Sequence, residues 1–386
     1  METKIQGQTE TNQITKQKSV VPPFVGIAAV WFGTHAGPGV ASGKQVATYF
    51  ASYGKWGIIT PVLAMALLGL AMYYSLEYSR VHKIHDFKSF TNKFFHPYEK
   101  LFSAFFEISF LVTSLLAPGL CIATSAKLLE QFFGLNMWVG TVMMVVISVI
   151  LVIYGAELVK AASTALTVGI LVVIAMLVVL GLNASAGAFS ANWAASNTSD
   201  YSHKGAIWLA ITYTGFQTTG NIGNCISVSQ GLKSKKESMM SATLGIILNS
   251  LMLVAIVIVN FAYQPDSIKS LLPNYYIVQQ IGYPILESVY VVFVIMASLS
   301  TIIGFAFALV ARYGSKEYMV KRIKTEKSRN ILIVMTMLVL DVMVSTFGIA
   351  SIVNIGYKYL GYFAIFVVLF PVIIVGNIRG RKEKSA

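Results

Sequence analysis

The residues best suited to bind a ligand or carry a proton lie in the middle of the first apolar segment, in the run GTHAGPGVASG at positions 33–43. Four glycines and one proline among eleven residues oppose a continuous helix, since an interior glycine costs about 1 kcal/mol and an interior proline about 3 kcal/mol. Interrupted backbone inside a bilayer is tolerated only where protein or a water-filled cavity satisfies its polar groups. The run therefore predicts a broken membrane span with a binding site at the break.

Two titratable side chains belong to this region. His35 lies inside the break, where an imidazole can carry a proton or accept a hydrogen bond; the alternative is a neutral histidine that caps the broken helix. Lys44 follows about one turn beyond the break. A charge within a span faces a cavity or a partner, or else its side chain snorkels toward the outer surface. The sequence leaves both pairs of alternatives open.

A second polar, glycine-punctuated run, TYTGFQTTGNIGN, occupies positions 212–224 of another apolar segment. It carries no charge, but it holds many hydrogen-bonding groups that would be costly to expose to lipid. This face must therefore turn inward, toward protein, water or a ligand. The glycines predict a second helix break, at a position that corresponds to the first.

Composition places these runs in a membrane protein. Hydrophobic residues make up 56% of the chain and charged residues 12%, and the mean hydropathy is +0.69. Such values lie outside the range of soluble globular proteins. Segments long enough for spans of roughly 20 residues number ten, at about 22–50, 56–79, 98–130, 136–154, 157–182, 205–231, 239–263, 283–312, 330–347 and 350–377.

The distribution of basic residues predicts the orientation. The net charge is +13, and 23 of the 29 Lys and Arg residues fall on one side of the predicted membrane, together with both termini. This bias follows the positive-inside rule and predicts cytoplasmic N- and C-termini in a cytoplasmic (inner) membrane, with the lipid bilayer rather than a nucleic acid as partner. The cysteines Cys121 and Cys225 lie within spans, so neither a disulfide framework nor a metal cluster is indicated.

The spans divide into two comparable halves. Each half has five spans, a polar stretch between its second and third spans, and an opening span with a glycine-rich run. An odd number of spans per half gives opposite orientations, which is the symmetry of an inverted-topology repeat. The predicted organisation is a cytoplasmic tail (1–21), a first five-helix repeat (22–182), an extracellular connector (183–204) that reads as flexible, a second five-helix repeat (205–377) and a cytoplasmic tail (378–386).

The run GPGVASGKQVATYFASYG, from Gly37 to Gly54, resembles the pattern GGGFASGQEIxxFFxxYG at the start of bacterial YkvI-type membrane proteins. These are regarded as amino acid permeases of the amino acid–polyamine–organocation superfamily. The resemblance implies an all-α, leucine-transporter-type fold of ten helices in a five-plus-five inverted repeat, with helices 1 and 6 discontinuous. It also implies secondary active transport of a small organic solute, with an amino acid favoured.

The resemblance further implies where ligands bind. The amides around Gly37 and Gly39 would receive a substrate carboxylate, since helix N-termini are natural anion sites. The other implied substrate contacts are Thr34, His35, Tyr213, Thr214, Gly215, Phe216 and Gln217. The segment Ala297-Ser298-Leu299-Ser300-Thr301 resembles the eighth-helix motif of a sodium site. Its implied ligands are the carbonyls of Gly33, Ala36 and Ala297 and the hydroxyls of Ser300 and Thr301, against an alternative of ordinary interhelical hydrogen bonds.

Other function classes find less support. Metalloprotease, phosphate-loop, nucleophile-elbow and CxxC motifs are missing from the sequence, so an enzyme is not predicted, and no cofactor is expected beyond a coupling ion, Na⁺ or H⁺. The rival prediction is an amino acid receptor of the same fold that binds without transporting. Asp341 is a candidate ion-pair partner of Lys358. Glu107 and Glu287 are expected to be solvated or structurally paired rather than to relay protons.

Overall fold

The computed structural model describes residues 22–154, 156–196 and 201–385, and the described residues are helical almost throughout. The first-half helices are α1 (Pro23–His35), α2 (Pro38–Ala41), α3 (Lys44–Tyr49), α4 (Trp56–His82), α5 (Phe87–Phe94), α6 (Glu99–Phe133), α7 (Met137–Tyr154), α8 (Ala156–Ala184) and α9 (Ala188–Ala195). The second-half helices are α10 (His203–Ser227), α11 (Lys235–Ala262), α12 (Asp266–Lys269), α13 (Pro273–Ile281), α14 (Pro284–Tyr313), α15 (Glu317–Arg322), α16 (Glu326–Ser345), α17 (Gly348–Ser351), α18 (Tyr357–Ala364) and α19 (Phe370–Ser385).

Among the described residues, six helical segments are long and apolar enough to cross a membrane: α4, α6, α11, α14, α16 and the continuous stretch Gly348–Gly380 that contains α17 and α18. The number is seven if one bent pair, in which Val168–Ala184 and Ala188–Ala195 meet at 82°, is counted as a single span. The chain is thus a multi-pass helical membrane protein. Each of the ten predicted spans contains helix, but the count of ten stays a prediction, since α1 is short and α10 is polar.

The helices enclose two apolar cores. The larger core lies where α10 packs on α4 and α18, and where α11 packs on α4 and α1. A smaller core fills the space between α6, α7, α14 and α16. The two polar, glycine-rich runs, in α1–α3 and in α10, both border the larger core, which brings them close together.

The predicted discontinuity of the sixth span is wrong. The helix α10 runs unbroken over 25 residues from His203 to Ser227, through the whole polar run. Its hydroxyls bond to carbonyls one turn back, as Thr212 Oγ1 does to Trp208 O at 2.8 Å and Thr218 Oγ1 to Thr214 O at 2.6 Å. These hydroxyls are therefore satisfied by the helix itself and need no break.

The predicted flexible segment 183–204 contains the helix α9, and residues 197–200 of the predicted segment lie outside the described residues. Asn192 Nδ2 donates to the Phe261 carbonyl at 3.0 Å, and the Trp193 ring packs on Phe261 with centroids 5.8 Å apart. Aromatic packing of this kind anchors the connector to the end of α11, which composition alone did not indicate.

Candidate functional site

The first span is interrupted as predicted. The helix α1 ends at His35, and Gly37 follows in an extended conformation with φ −61° and ψ 176°. A single helical turn, α2, then precedes Gly43, whose φ of +83° lies in the left-handed region. Glycine is the default residue there because it has no Cβ to clash. Two changes of backbone direction within seven residues make the break.

The carbonyls freed at the break find partners in the second half of the chain. Asn274 of α13 donates from its backbone amide to Ser42 O at 3.0 Å and from Nδ2 to Ala41 O at 2.9 Å. The Tyr290 hydroxyl of α14 donates to the same Ala41 carbonyl at 2.8 Å. Since unpaired backbone groups in hydrocarbon cost several kcal/mol each, these contacts allow the helix to break inside the bundle.

Lys44 is part of the same arrangement. The residue is only 7% exposed, and its ammonium donates to the carbonyl of Ser270, just before α13, at 2.9 Å. Of the two predicted alternatives, the structure shows the lysine facing a protein partner rather than reaching toward solvent. Lys44 and Asn274 together tie the interrupted helix to the segment around α13.

His35 lies on the other side of the break, in a chain of side-chain hydrogen bonds. Its Nδ1 is 2.7 Å from Asn249 Oδ1, and its Nε2 is 2.7 Å from the Tyr213 hydroxyl. Asn249 uses its Nδ2 to donate to the Gly245 carbonyl at 2.8 Å, so its Oδ1 must accept. His35 therefore carries its proton on Nδ1, and its Nε2 accepts from Tyr213. The neutral histidine of the sequence alternatives matches this pattern, but its partners are side chains of α10 and α11 rather than the ends of its own helix.

The chain continues along α10 with every bond oriented the same way. Gln217 Nε2 donates to the Tyr213 hydroxyl at 3.2 Å, and Asn221 Nδ2 donates to Gln217 Oε1 at 3.2 Å. On the α1 side, Asn224 Nδ2 donates to Thr34 Oγ1 at 3.2 Å. The polar edge of α10 thus faces α1 along several turns, and a hydrogen-bonding solute placed there would meet both donors and acceptors.

Aromatic rings close the site on the side of α3 and α18. Tyr213 packs edge-on against Phe50 with centroids 4.9 Å apart, and Phe216 lies 4.7 Å from the Tyr357 ring. Tyr49 contacts both Tyr213 and Phe216. These rings are buried. The site therefore combines an uncharged polar edge with an aromatic wall, which is the composition of small-molecule sites in general.

Other predicted residues of α10 face away from the break. Thr214 Oγ1 donates to the Ala64 carbonyl of α4 at 3.0 Å. A Cβ on Gly215 would lie 2.5 Å from the Gly361 carbonyl of α18. In this arrangement Thr214 and Gly215 hold α10 against its neighbours, whereas Tyr213, Phe216 and Gln217 are the members of the predicted set that border the break.

No hydrogen bond between described residues joins the predicted sodium ligands of α14 to those at the end of α1. The Ala297 carbonyl accepts from the Thr301 hydroxyl at 3.0 Å, within α14 itself. The helix α14 packs mainly on α6 and α8, while α1, which carries Gly33, packs mainly on α10 and α11. The sodium site stays a prediction.

The predicted ion pair between Asp341 and Lys358 is wrong. The ammonium of Lys358 lies 5.9 Å from the centre of the Tyr362 ring, and neither carboxylate oxygen of Asp341 has a hydrogen-bond partner among the described residues. The two glutamates are structurally paired, as expected. Glu107 Oε2 accepts from Arg312 Nε at 2.7 Å, and Glu287 Oε1 accepts from the Tyr275 hydroxyl at 2.6 Å.

Sequence reasoning missed three residues that build the site: Asn249, Asn274 and Tyr290. A signal was available for Asn249, because an amide inside the apolar run of α11 is costly to bury without a partner. Asn274 belongs to a segment between spans, and its role depends on the fold of that segment back toward the break.

Comparison with known proteins sets the fold in context. No protein-family model matches the chain, and no curated protein matches it. Among solved structures, the substrate-bound outward-open state of a Na⁺-coupled sialic acid symporter aligns with a TM-score of 0.61 at 15% identity, over 93% of this chain and 90% of that one. The chain has the leucine-transporter-type fold. The inward-facing conformation of Mhp1 aligns with a TM-score of 0.52 at 15% identity, over 89% of this chain and 73% of that one.

Proposed function

We propose that this protein is a secondary active transporter that moves a small organic solute across the cytoplasmic membrane by alternating access, with an amino acid as the favoured cargo. The observation that carries the proposal is the hydrogen bond between His35, at the end of the interrupted helix α1, and Tyr213 on the polar edge of α10. Interrupted helices that meet polar groups deep in a bundle are where transporters of several folds bind their solutes.

The same geometry suggests how a solute is held. The uncharged groups of His35, Tyr213 and Asn249 satisfy one another when no solute lies between them. A solute with its own donors and acceptors can replace these bonds one for one, so that no buried polar group is left unpaired. In this proposal the amides at Gly37 and Gly39 receive the carboxylate, and Thr34, Gln217 and Phe216 border the remainder of the solute, with Thr214 and Gly215 behind them.

The topology proposed with this function has ten spans in two inverted five-helix repeats, 22–182 and 205–377, with both termini in the cytoplasm. Two solved structures of similar fold, one outward-open and one inward-facing, support the proposal of alternating access. Coupling is to Na⁺ or H⁺. Sodium is favoured by the Ala297-to-Thr301 motif and by the Na⁺ coupling of the similar sialic acid symporter.

Uptake into proteoliposomes tests the function. Radiolabelled amino acids should accumulate above their outside concentration when an inward sodium or proton gradient is imposed, and accumulation should stop when an ionophore removes the gradient. Tyr213→Phe should lower uptake because it breaks the contact between α1 and α10. Tyr359→Phe is the matched control, because Tyr359 is 67% exposed.

Two outcomes would contradict the proposal. Binding of an amino acid without accumulation under either gradient would favour a receptor of the same fold. Fast flux that only equalises the concentrations would favour a channel. Equal uptake by the Tyr213→Phe and Tyr359→Phe variants would remove the bond between His35 and Tyr213 from the mechanism.

A further inference from the structure

Asp341 is a buried acidic residue for which the proposed solute site has no use. Its exposed fraction is 0%, and within the described part of the chain both carboxylate oxygens lack a hydrogen-bond partner. A buried charge without a partner is among the most costly arrangements in a protein. The residue therefore requires something that neutralises its charge and occupies its oxygens.

Asp341 lies against the middle of a neighbouring helix, α6. A Cβ built on Gly119 would lie 3.2 Å from the Asp341 backbone carbonyl, and Gly119 is within one turn of the centre of the 35-residue helix α6. Asp341 thus packs against the middle of α6, one turn before the end of α16. Ionisable residues within membrane-spanning helices are rare, and by default they mark ion or substrate pathways.

Among the residues that the structure describes, the helices around Asp341 supply no positive side chain that could neutralise it. The helices packed around α16 in this region are α6, α7 and α14. No Lys, Arg or His occurs in the central part of any of these four helices, at residues 108–126, 137–153, 288–311 and 330–345. Arg312 lies at the cytoplasmic end of α14 and is already paired with Glu107. Lys127, one residue beyond the quoted range of α6, is paired with Glu130. A proton or a bound cation must therefore neutralise the carboxylate.

Two further polar groups belong to the same core as the carboxylate. The Thr301 hydroxyl of α14 donates its proton to the Ala297 carbonyl, so its lone pairs remain free to accept. The Cys121 thiol of α6 is within hydrogen-bonding reach of Thr301 and within electrostatic range of Asp341. The carboxylate, the hydroxyl and the thiol come from three different helices, α16, α14 and α6, which together enclose the smaller core.

We propose that Asp341 is the carboxylate ligand of a monovalent alkali cation, bound between α6, α14 and α16 with the Thr301 hydroxyl as a second oxygen. One carboxylate balances one positive charge, and the described residues contain no group of three His, Cys, Asp or Glu side chains that could hold a multivalent metal. A bound cation would place its oxygen ligands around itself at roughly 2.4 Å, as hard cations do. Such oxygens need not hydrogen-bond to one another.

A proton would also neutralise Asp341, and the two ligands differ in what they make the protein respond to. Only a bound alkali cation makes the stability of the folded protein depend on the sodium concentration. The site is also separate from the predicted set around Gly33 and Ala36, with which it shares only Thr301. A role for Asp341 in coupling rests on the proposed transport function, but cation binding itself does not.

Thermal unfolding of the purified full-length protein tests this inference without a transport assay. Sodium chloride is titrated against choline chloride at constant ionic strength, and the unfolding midpoint is followed. The wild-type midpoint should rise with sodium, because a ligand that binds only the folded state stabilises it. Asp341→Asn should abolish this rise while leaving the midpoint in choline unchanged or higher, since the variant removes a buried charge. Asp266→Asn, at an exposed aspartate, should keep it.

Two further variants separate this site from the one predicted from sequence. Thr301→Val should weaken the sodium effect and Ser300→Ala should leave it intact, because only Thr301 is shared by the two sites. This pair decides the matter even if Asp341→Asn does not fold. A sodium effect that survives Asp341→Asn, or that Ser300→Ala removes as fully as Thr301→Val does, would overturn the inference. So would a wild-type midpoint that does not respond to sodium, lithium or potassium. Sodium stabilisation without uptake would leave the inference standing and contradict only the transport proposal.

Discussion

The glycine-rich runs in α1–α3 and in α10 look alike in sequence, yet only the first interrupts its helix. In the first run, Pro38 begins a new turn after an extended glycine, and Gly43 takes a left-handed conformation. In α10 the helix continues past Gly215, Gly220 and Gly223. Glycine content alone therefore does not determine where a membrane helix breaks.

The difference lies in where the polar groups find partners. The carbonyls of Ala41 and Ser42 bond to Asn274, on a different part of the chain. In α10 the threonines bond to carbonyls one turn back in the same helix. A break persists where other elements supply partners for the freed backbone. In α10 the backbone bonds within its own helix, so no carbonyl depends on a distant partner. Of the glycines in this run, Gly215 serves close packing against Gly361, whereas a Cβ at Gly220 would meet nothing within 4 Å.

Substitution of Gly43 should give the largest effect and would test the break directly. A Cβ there would lie 2.4 Å from Asn274 Oδ1 on left-handed backbone. We expect Gly43→Ala to lower the free energy of unfolding by about 3 kcal/mol, since left-handed strain and overpacking each cost on the order of 1–3 kcal/mol. Gly37→Ala is the control, because its Cβ would have only one neighbour, 3.9 Å away. Equal unfolding midpoints in detergent for the two variants would contradict this account.

Gly215→Ala should be the next most damaging change, for a different reason. The backbone there is helical, but the Cβ would lie 2.5 Å from the Gly361 carbonyl, so α10 and α18 must separate. We expect a loss of about 2 kcal/mol, typical of overpacking, measured by thermal unfolding. A neutral result would mean that the two helices do not pack this closely.

Tyr213→Phe should have a somewhat smaller effect on stability. The change removes the hydroxyl that donates to His35 Nε2 and accepts from Gln217. A buried nitrogen without a donor costs about 1–3 kcal/mol, and we expect a value near the lower end because Gln217 can move toward it. The unfolding midpoint of Tyr359→Phe provides the reference. An unchanged midpoint for Tyr213→Phe would indicate that the contact between α1 and α10 contributes nothing.

Gly220→Ala should have the smallest effect and the opposite sign. Gly220 lies within the continuous α10, and a Cβ there would meet nothing within 4 Å. Alanine should then stabilise the protein by up to about 1 kcal/mol, the difference in helix propensity. A lowered midpoint would indicate that the helix is interrupted at this point after all, as the sequence suggested.

Several features followed directly from the residues. The helical membrane class, the interruption near Gly37 and the inward-facing polar edge of α10 were all predicted correctly, because hydropathy and backbone preference are local properties. The continuity of α10 was not predictable in this way. It depends on hydrogen bonds within the turn and on the carbonyl of Gly361, more than a hundred residues away in the chain.

Some residues of the candidate site were predictable from the sequence and others were not. His35 and Tyr213 stood out in the sequence, whereas their partner Asn249 and the clamp residue Asn274 did not. The ion pair expected for Asp341 was wrong. Whether its carboxylate reaches Lys358 depends on the distance between their helices, which the sequence does not contain. The structure instead leaves the buried carboxylate of Asp341 without a hydrogen-bond partner among the described residues, and the sodium titration tests whether a cation binds it.

The sequence by itself determined that the chain is a bundle of membrane helices and that its first span is interrupted. Both features follow from local properties, namely the length of apolar segments and the backbone preferences of glycine and proline. Only the tertiary structure decided which polar groups meet at that point. A freed carbonyl or a buried carboxylate is stable or costly according to the partner that a distant segment brings to it.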